Sequence, residues 1–110
     1  MNRLPLSAAA SGLLRSLLAR APQDRDRILL TESRSVDWQS LTFVGERHEF
    51  RFRVPGPNAA RIMGLLTESL SDAEFAIPRH IVADIALSGE PHAERDGSVS
   101  FGIEALTIQE

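Results

Sequence analysis

Apolar residues recur at helical spacing twice along the chain. Ala10, Leu13, Leu14, Leu17, Leu18 and Ala21 fall at i, i+3, i+4, i+7 intervals and make one stripe. Ser7 stands where a helix cap belongs and Pro22 where the helix must stop, so the spacing predicts a helix over about 7–21. Ala59, Ile62, Leu65, Leu66 and Leu70 make the second stripe, with Asn58 as its cap, and predict a helix over about 58–70. Gly64 inside it costs up to ~1 kcal/mol relative to alanine, which suggests that it permits close packing.

Between and after these stripes the period changes to two. Ile28 to Val36 reads as extended, either a separate strand or the first half of a long bent one. A hairpin over about 35–54 follows, with Gly45-Glu46 as a two-residue type II′ turn. That register pairs Phe43 with His48, Leu41 with Phe50 and Gln39 with Phe52. It places Leu41, Phe43, Phe50, Phe52 and Val54 on one face, and Ser40, Thr42, Glu49 and Arg51 on the other. Val36 and Trp38 are out of phase with this face, so a bulge is expected at Gln39-Ser40. Pro55-Gly56-Pro57 ends the hairpin.

A second hairpin is expected over about 75–109. Phe75, Ile77, Ile81, Ala83, Ile85 and Leu87 alternate with polar positions, with Pro78 near the start or the edge of the strand. Asp96-Gly97 supplies the turn, and Val99, Phe101 and Ile103 continue beyond it. Leu106 and Ile108 then fall out of phase. Either a bulge near Glu104-Ala105 restores them, or the last strand is apolar on both faces and needs a covering partner. The order is α-β(β)β-α-ββ. It implies an α+β fold with an antiparallel sheet of four to five strands and two helices, in a single domain spanning 1–110.

Composition changes this picture mainly by exclusion. With 110 residues the chain fits one domain with a modest core. There is no Cys, which excludes disulfides, thiolate metal sites and a cysteine nucleophile. All twelve cationic residues are Arg, so Schiff-base chemistry and a phosphate-loop lysine are excluded as well. A net charge of −3 argues against nucleic acid as the main partner. The charge is uneven, since residues 1–23 carry Arg3, Arg15 and Arg20 and no acid. Such a start imitates a targeting peptide, but Arg15 interrupts the apolar run. The stripe favours a packing helix, with a partner-binding helix and a removable signal as alternatives. No membrane-spanning segment is expected.

Candidate chemistry is sparse. His80 and Asp84 share a predicted strand face but stand ~13 Å apart, so they do not form a metal site by themselves. His48 is expected at the rim of the core opposite Phe43, and His92 in solvent beside a turn. Arg34, Arg47, Arg51 and Arg53 could bind phosphate. Their interleaving with Glu46 and Glu49 points instead to a solvated, salt-bridged face. Asp37, Asp84 and Glu104 could converge in the sheet, but their spacing does not demand it. There is no G-x-S-x-G elbow and no glycine-rich phosphate loop. The reading is therefore a non-enzyme with no catalytic residue, cofactor or metal.

The order of motifs resembles the tail completion proteins (tail terminator, or head–tail joining) of long-tailed phages and gene transfer agents. In that family an Asp-Trp-Ser-like step precedes a Gly-x-x-His turn and an aromatic strand. Here these are Asp37-Trp38-Gln39-Ser40 and Gly45-Glu46-Arg47-His48 with Phe50. An amphipathic helix ends in Leu70-Ser71-Asp72-Ala73-Glu74-Phe75. Pro78-Arg79-His80-Ile81-Val82, the Arg95-Asp96-Gly97 turn and a final strand through Glu104-Ala105-Leu106-Thr107-Ile108 follow. The resemblance covers about residues 28–110. One departure is the charged connector Gln23–Arg27, where a Pro-rich segment is expected.

The resemblance implies a structural subunit that caps the tail tube as a ring, commonly of six, and joins it to the head. Its partners would be itself, the tail-tube protein and the head connector. Its expected place is the cytoplasm, with incorporation into a phage-like particle. The residues expected to carry subunit contacts are Leu106, Ile108, Arg47, Arg51 and Arg53. A small homodimeric binding or chaperone-like module, and a small enzyme using His48 or His80 with carboxylates, are the alternatives.

Overall fold

Ser7 starts the first helix as its position predicts. Its hydroxyl accepts a hydrogen bond from the Ala10 N–H at 3.1 Å, satisfying one donor that a helix start leaves free. The computed structural model describes residues 6–110, so Arg3 lies outside the described residues. Helix α1 spans Ala8–Leu18. The chain then tightens through the bonds Arg20 N–H to Leu17 O and Ala21 N–H to Leu18 O, which keeps Ala21 in the core beyond the helix end.

Helix α2 spans Ala59–Thr67 and is shorter than predicted. Asn58 does not cap it: its backbone is left-handed at φ 68 and its side chain makes no capping bond. Glu68 leaves the helical conformation at ψ 124, and after the left-handed Ser69 at φ 49 Leu70–Asp72 form a separate 3₁₀ turn. That turn still delivers Leu70 to the core. Carbonyls at the end of α2 are satisfied from outside the helix. The Arg20 guanidinium donates to Leu65 O at 3.2 Å and also to Glu68 O.

Gly64 does not pack closely against anything. A Cβ built there meets nothing within 4 Å. Gly64→Ala therefore gains the helical propensity with no clash, and is expected to stabilise the protein by ~0.5–1 kcal/mol. Thermal unfolding checks this as a midpoint raised by a few degrees. An unchanged or lowered midpoint would refute it.

The strands are β1 Leu29–Gln39, β2 Val44–Val54, β3 His80–Leu87, β4 His92–Ala93 and β5 Val99–Gln109. They form one antiparallel sheet in the order β1-β2-β5-β3, with β4 beside β5 past the end of β3. The α+β class, two helices and five strands agree with the sequence reading. Phe50, Phe52 and Val54 of β2, with Phe101 and Ile103 of β5, pack in one cluster with Leu13 and Leu17 of α1 and Ile62 and Leu66 of α2. Both helices therefore lie on the same face of the sheet.

The register of the first hairpin is not the predicted one. β1 pairs with β2 from Gln39 opposite Val44 back to Leu29 opposite Arg53, and the turn is Ser40–Phe43. Ser40 fixes this turn. Its N–H donates to Phe43 O at 2.9 Å, and its hydroxyl accepts from the Phe43 N–H at 3.0 Å. The predicted register would have exhausted β2 at Asp37 and left residues 28–36 without a partner. The observed one pairs the whole of β1, and satisfying that much more backbone outweighs leaving Leu41 and Phe43 exposed.

The bulges also move. None occurs at Gln39-Ser40 or at Glu104-Ala105, and the β2–β5 pairing is unbroken. The register instead shifts between Leu30 and Glu32, and between Val82 and Asp84. The second shift flips the phase of β3, turning Ile81 outward while Ile85 is buried. Phe75 and Ile77 precede the strand, which begins only at His80 after the left-handed Arg79 at φ 66.

Candidate interaction surface

The unbroken β2–β5 ladder settles where Leu106 and Ile108 point. Phe101 and Ile103 face the helices, so Leu106 and Ile108 face the opposite side, which no helix among the described residues covers. Arg47, Arg51 and Arg53 lie on that same side, alternating along β2 with the buried His48, Phe50, Phe52 and Val54. All five residues expected to carry contacts thus share the bare face of the sheet.

Register pairs arrange this face in rows across the strands. The first row is Trp38, Gly45, Ile108 and Ile81, and the second is Val36, Arg47, Leu106 and Asp84. Next come Arg34, Glu49, Glu104 and Ala86, and then Glu32, Arg51 and Gly102. The face is apolar at the end near the β1–β2 turn and charged further along. Val36 is 43% exposed and Ile81 is 51% exposed, so both present apolar surface to solvent. Leu106 is only 9% exposed because its neighbours on the face enclose it. The turn extends the apolar end with Leu41 and Phe43.

The charged rows are not the salt-bridged lattice that the sequence suggested. Among the described residues Arg34, Arg47 and Arg51 make no ion pair, and neither do Glu49 and Glu104. Arg53 is the exception and pairs with Asp96 beside the Arg95-Asp96-Gly97 turn. The Arg51 guanidinium lies over Gly102, with Nη1 2.7 Å from where a Cβ would stand. Arg34, Val36, Arg47, Glu49 and Glu104 border a shallow depression of about 280 Å³. Glu46 is on the other side of the sheet, where its carboxylate accepts a hydrogen bond from the Ser7 hydroxyl at 2.9 Å.

The titratable candidates separate. His80 and Asp84 do not share a face, because the bulge between Val82 and Asp84 intervenes. Asp37 lies on the helix side of β1 while Asp84 and Glu104 lie on the bare face, so these carboxylates do not converge. Among the described residues no three His, Cys, Asp or Glu side chains could hold a metal ion. His92 is in solvent as expected, 3.9 Å from the Glu94 carboxylate.

His48 differs most from expectation. It is 2% exposed, stacks on Phe50 and sits opposite Ser35 rather than Phe43. Its Nδ1 is 2.7 Å from Ser35 Oγ and its Nε2 is 2.8 Å from Thr107 Oγ1. Burial lowers its pKa below the ordinary 6.5, as does His80, while Glu46 opposes the shift. The sequence carries no signal for this: Ser35 comes opposite His48 only in the observed β1–β2 register, and Thr107 reaches it through the pairing of β2 with β5, which local spacing does not specify.

Comparison with known protein families, with characterised proteins and with solved structures gave no match.

Proposed function

We propose that this chain is a structural subunit of a phage-like or gene-transfer-agent tail, which caps the tail tube as an oligomeric ring and joins it to the head. The observation that carries the reading is the bare sheet face, with its apolar row Trp38–Gly45–Ile108–Ile81 and, in the next row, Val36 and Leu106 on either side of Arg47. A protomer with helices on one side of its sheet only leaves apolar surface for a neighbour to cover. The stretches that carry the family resemblance support it as well. Asp37-Trp38 and Gly45-Glu46 lie directly opposite each other beside the β1–β2 turn. No helix among the described residues is long and apolar enough to cross a membrane.

Native mass spectrometry over a rising concentration series tests the proposal. A ring of about six subunits is the expected result. A tight dimer that never grows would favour the homodimeric binding module instead, and a monomer at every concentration would count against both.

Substitutions on the bare face sharpen the test. Ile81→Glu places a charge at a half-exposed position and is expected to abolish assembly while changing stability by less than about 0.5 kcal/mol. Leu106→Glu is expected to destabilise the protomer as well, because it puts a carboxylate in place of a nearly buried apolar side chain with only Arg47 opposite to pair it. Mass measurement and thermal unfolding on the same samples separate the two effects. Intact assembly in Ile81→Glu would remove this face from the interface.

A further inference from the structure

Strand β1 is held to the molecule in an unusual way. It is an edge strand paired to β2 alone. Towards the helices its outer half offers Ser33, Ser35 and Asp37, opposite Phe50, His48 and Glu46 respectively, and no apolar side chain. Ser33 Oγ is buried there without a partner. On that side the side-chain hydrogen-bonded tie among the described residues is the line Ser35–His48–Thr107, which crosses from β1 through β2 to the inner strand β5, while Val36 and Trp38 lie on the opposite face.

That line suits a neutral imidazole. One ring nitrogen donates and the other accepts, and the two hydroxyls can serve either tautomer. A protonated ring donates from both nitrogens. The hydroxyl that had donated to the ring must then find another acceptor. Thr107 is 0% exposed, and among the described residues His48 is the only hydrogen-bond partner of its side chain. With Thr107 as the donating hydroxyl, the arrangement that leaves none of its own hydrogens unpaired in the neutral state, protonation either strands that buried hydrogen or breaks the line.

We propose that Ser35, His48 and Thr107 form an acid-released latch, which holds residues 33–39 of β1 against the sheet at neutral pH and lets them open as the pH falls. Opening would free the pairing edge of β2 for another strand. The charged groups that bear on the ring are few. Glu46 faces it from β2 and favours the cation, but its carboxylate is engaged by Ser7. Asp37 lies one row away on β1, across from Glu46. His80 of β3 disfavours the cation, and α1 has no acid in its first turn.

The sign follows from linkage. The ring titrates near 6.5 when released and lower when latched. Above 6.5 neither state is protonated and the latch is at full strength. Below it the open state takes up a proton that the closed state refuses. Opening then grows by about tenfold per pH unit until the latched ring itself titrates.

Amide hydrogen exchange of the full chain, expressed as protection factors between pH 7.5 and 5.0, is the test. Protection across 33–39 is expected to fall about tenfold per unit below 6.5 while β5 keeps its protection. His48→Gln should abolish this pH dependence, and His80→Gln should leave it in place. Ser35→Ala, which keeps the imidazole, should lower protection of 33–39 already at pH 7.5; it also serves should His48→Gln fail to fold. Equal loss over all strands, persistence in His48→Gln, or full protection at neutral pH in Ser35→Ala would each overturn the latch.

Discussion

Replacing Gly45 by alanine is expected to cost more than 3 kcal/mol and to leave little folded protein at 37 °C. Gly45 lies inside β2, between Trp38 of β1 and Ile108 of β5. A Cβ built on it stands 1.9 Å from the Thr107 carbonyl oxygen, 3.0 Å from the carbonyl carbon and 3.1 Å from the Ile108 Cα. All three are backbone atoms, so no side-chain rotation relieves the clash. The ladder between β2 and β5 must open instead, and it is the central pairing of the sheet. Thr107 would shift with it and carry away the partner of His48. Urea denaturation measures the loss. A variant within 1 kcal/mol of the parent would show that the two strands can separate locally at little cost. Gly64→Ala is the matched control, being the same substitution where a Cβ meets nothing.

Gly45 also shows what the sequence conceals. Gly-Glu between apolar runs is a sound turn signal, but it competes with Ser40, whose hydroxyl and N–H both close on Phe43. The choice between two turns four positions apart depends on which register pairs the longer strand, and that is a property of the whole ladder. The same limit explains β3. Its alternation was legible, but the bulge between Val82 and Asp84 reverses it halfway, and such a bulge leaves no mark in the pattern. Where one face meets one core the reading succeeded. The α1 stripe, the Ser7 cap, Phe50, Phe52, Val54, Phe101 and Ile103 all fall where spacing put them.

The candidate surface was legible in part for the same reason. Leu106 and Ile108 break phase after three core residues, which leaves either a bulge near Glu104-Ala105 or a strand apolar on both faces, and the continuous ladder decides for the second. Trp38 and Val36 broke phase too, but the expected bulge would have folded them inward. On the observed register they join Leu106 and Ile108 outside. His48 needed two partners from separate strands, which period-two reasoning does not supply.

Phe101→Ala should be the most damaging truncation in the core, at about 3–5 kcal/mol. Phe101 is 0% exposed and stacks on Phe52 with ring centroids 5.3 Å apart and planes 26° apart. Phe52 in turn meets Phe50 edge-on at 6.0 Å, so one aromatic row links the two central strands beneath both helices. Losing its end ring removes the burial of a large side chain and leaves a cavity that the strands cannot collapse to fill. Coupling should be measurable. The double variant with Phe52→Ala should lose less than the sum of the singles by about 0.5–1.5 kcal/mol, because each single already forfeits the shared stack. Additive losses would mean that the rings merely adjoin. Set beside Ile81→Glu, this truncation also separates the two faces of the sheet. Phe101→Ala should lower the unfolding midpoint of the isolated protomer, whereas Ile81→Glu should act on its assembly alone. If both lowered the midpoint equally, the bare face would belong to the protomer's own core, and the case for a covering neighbour would fall with it.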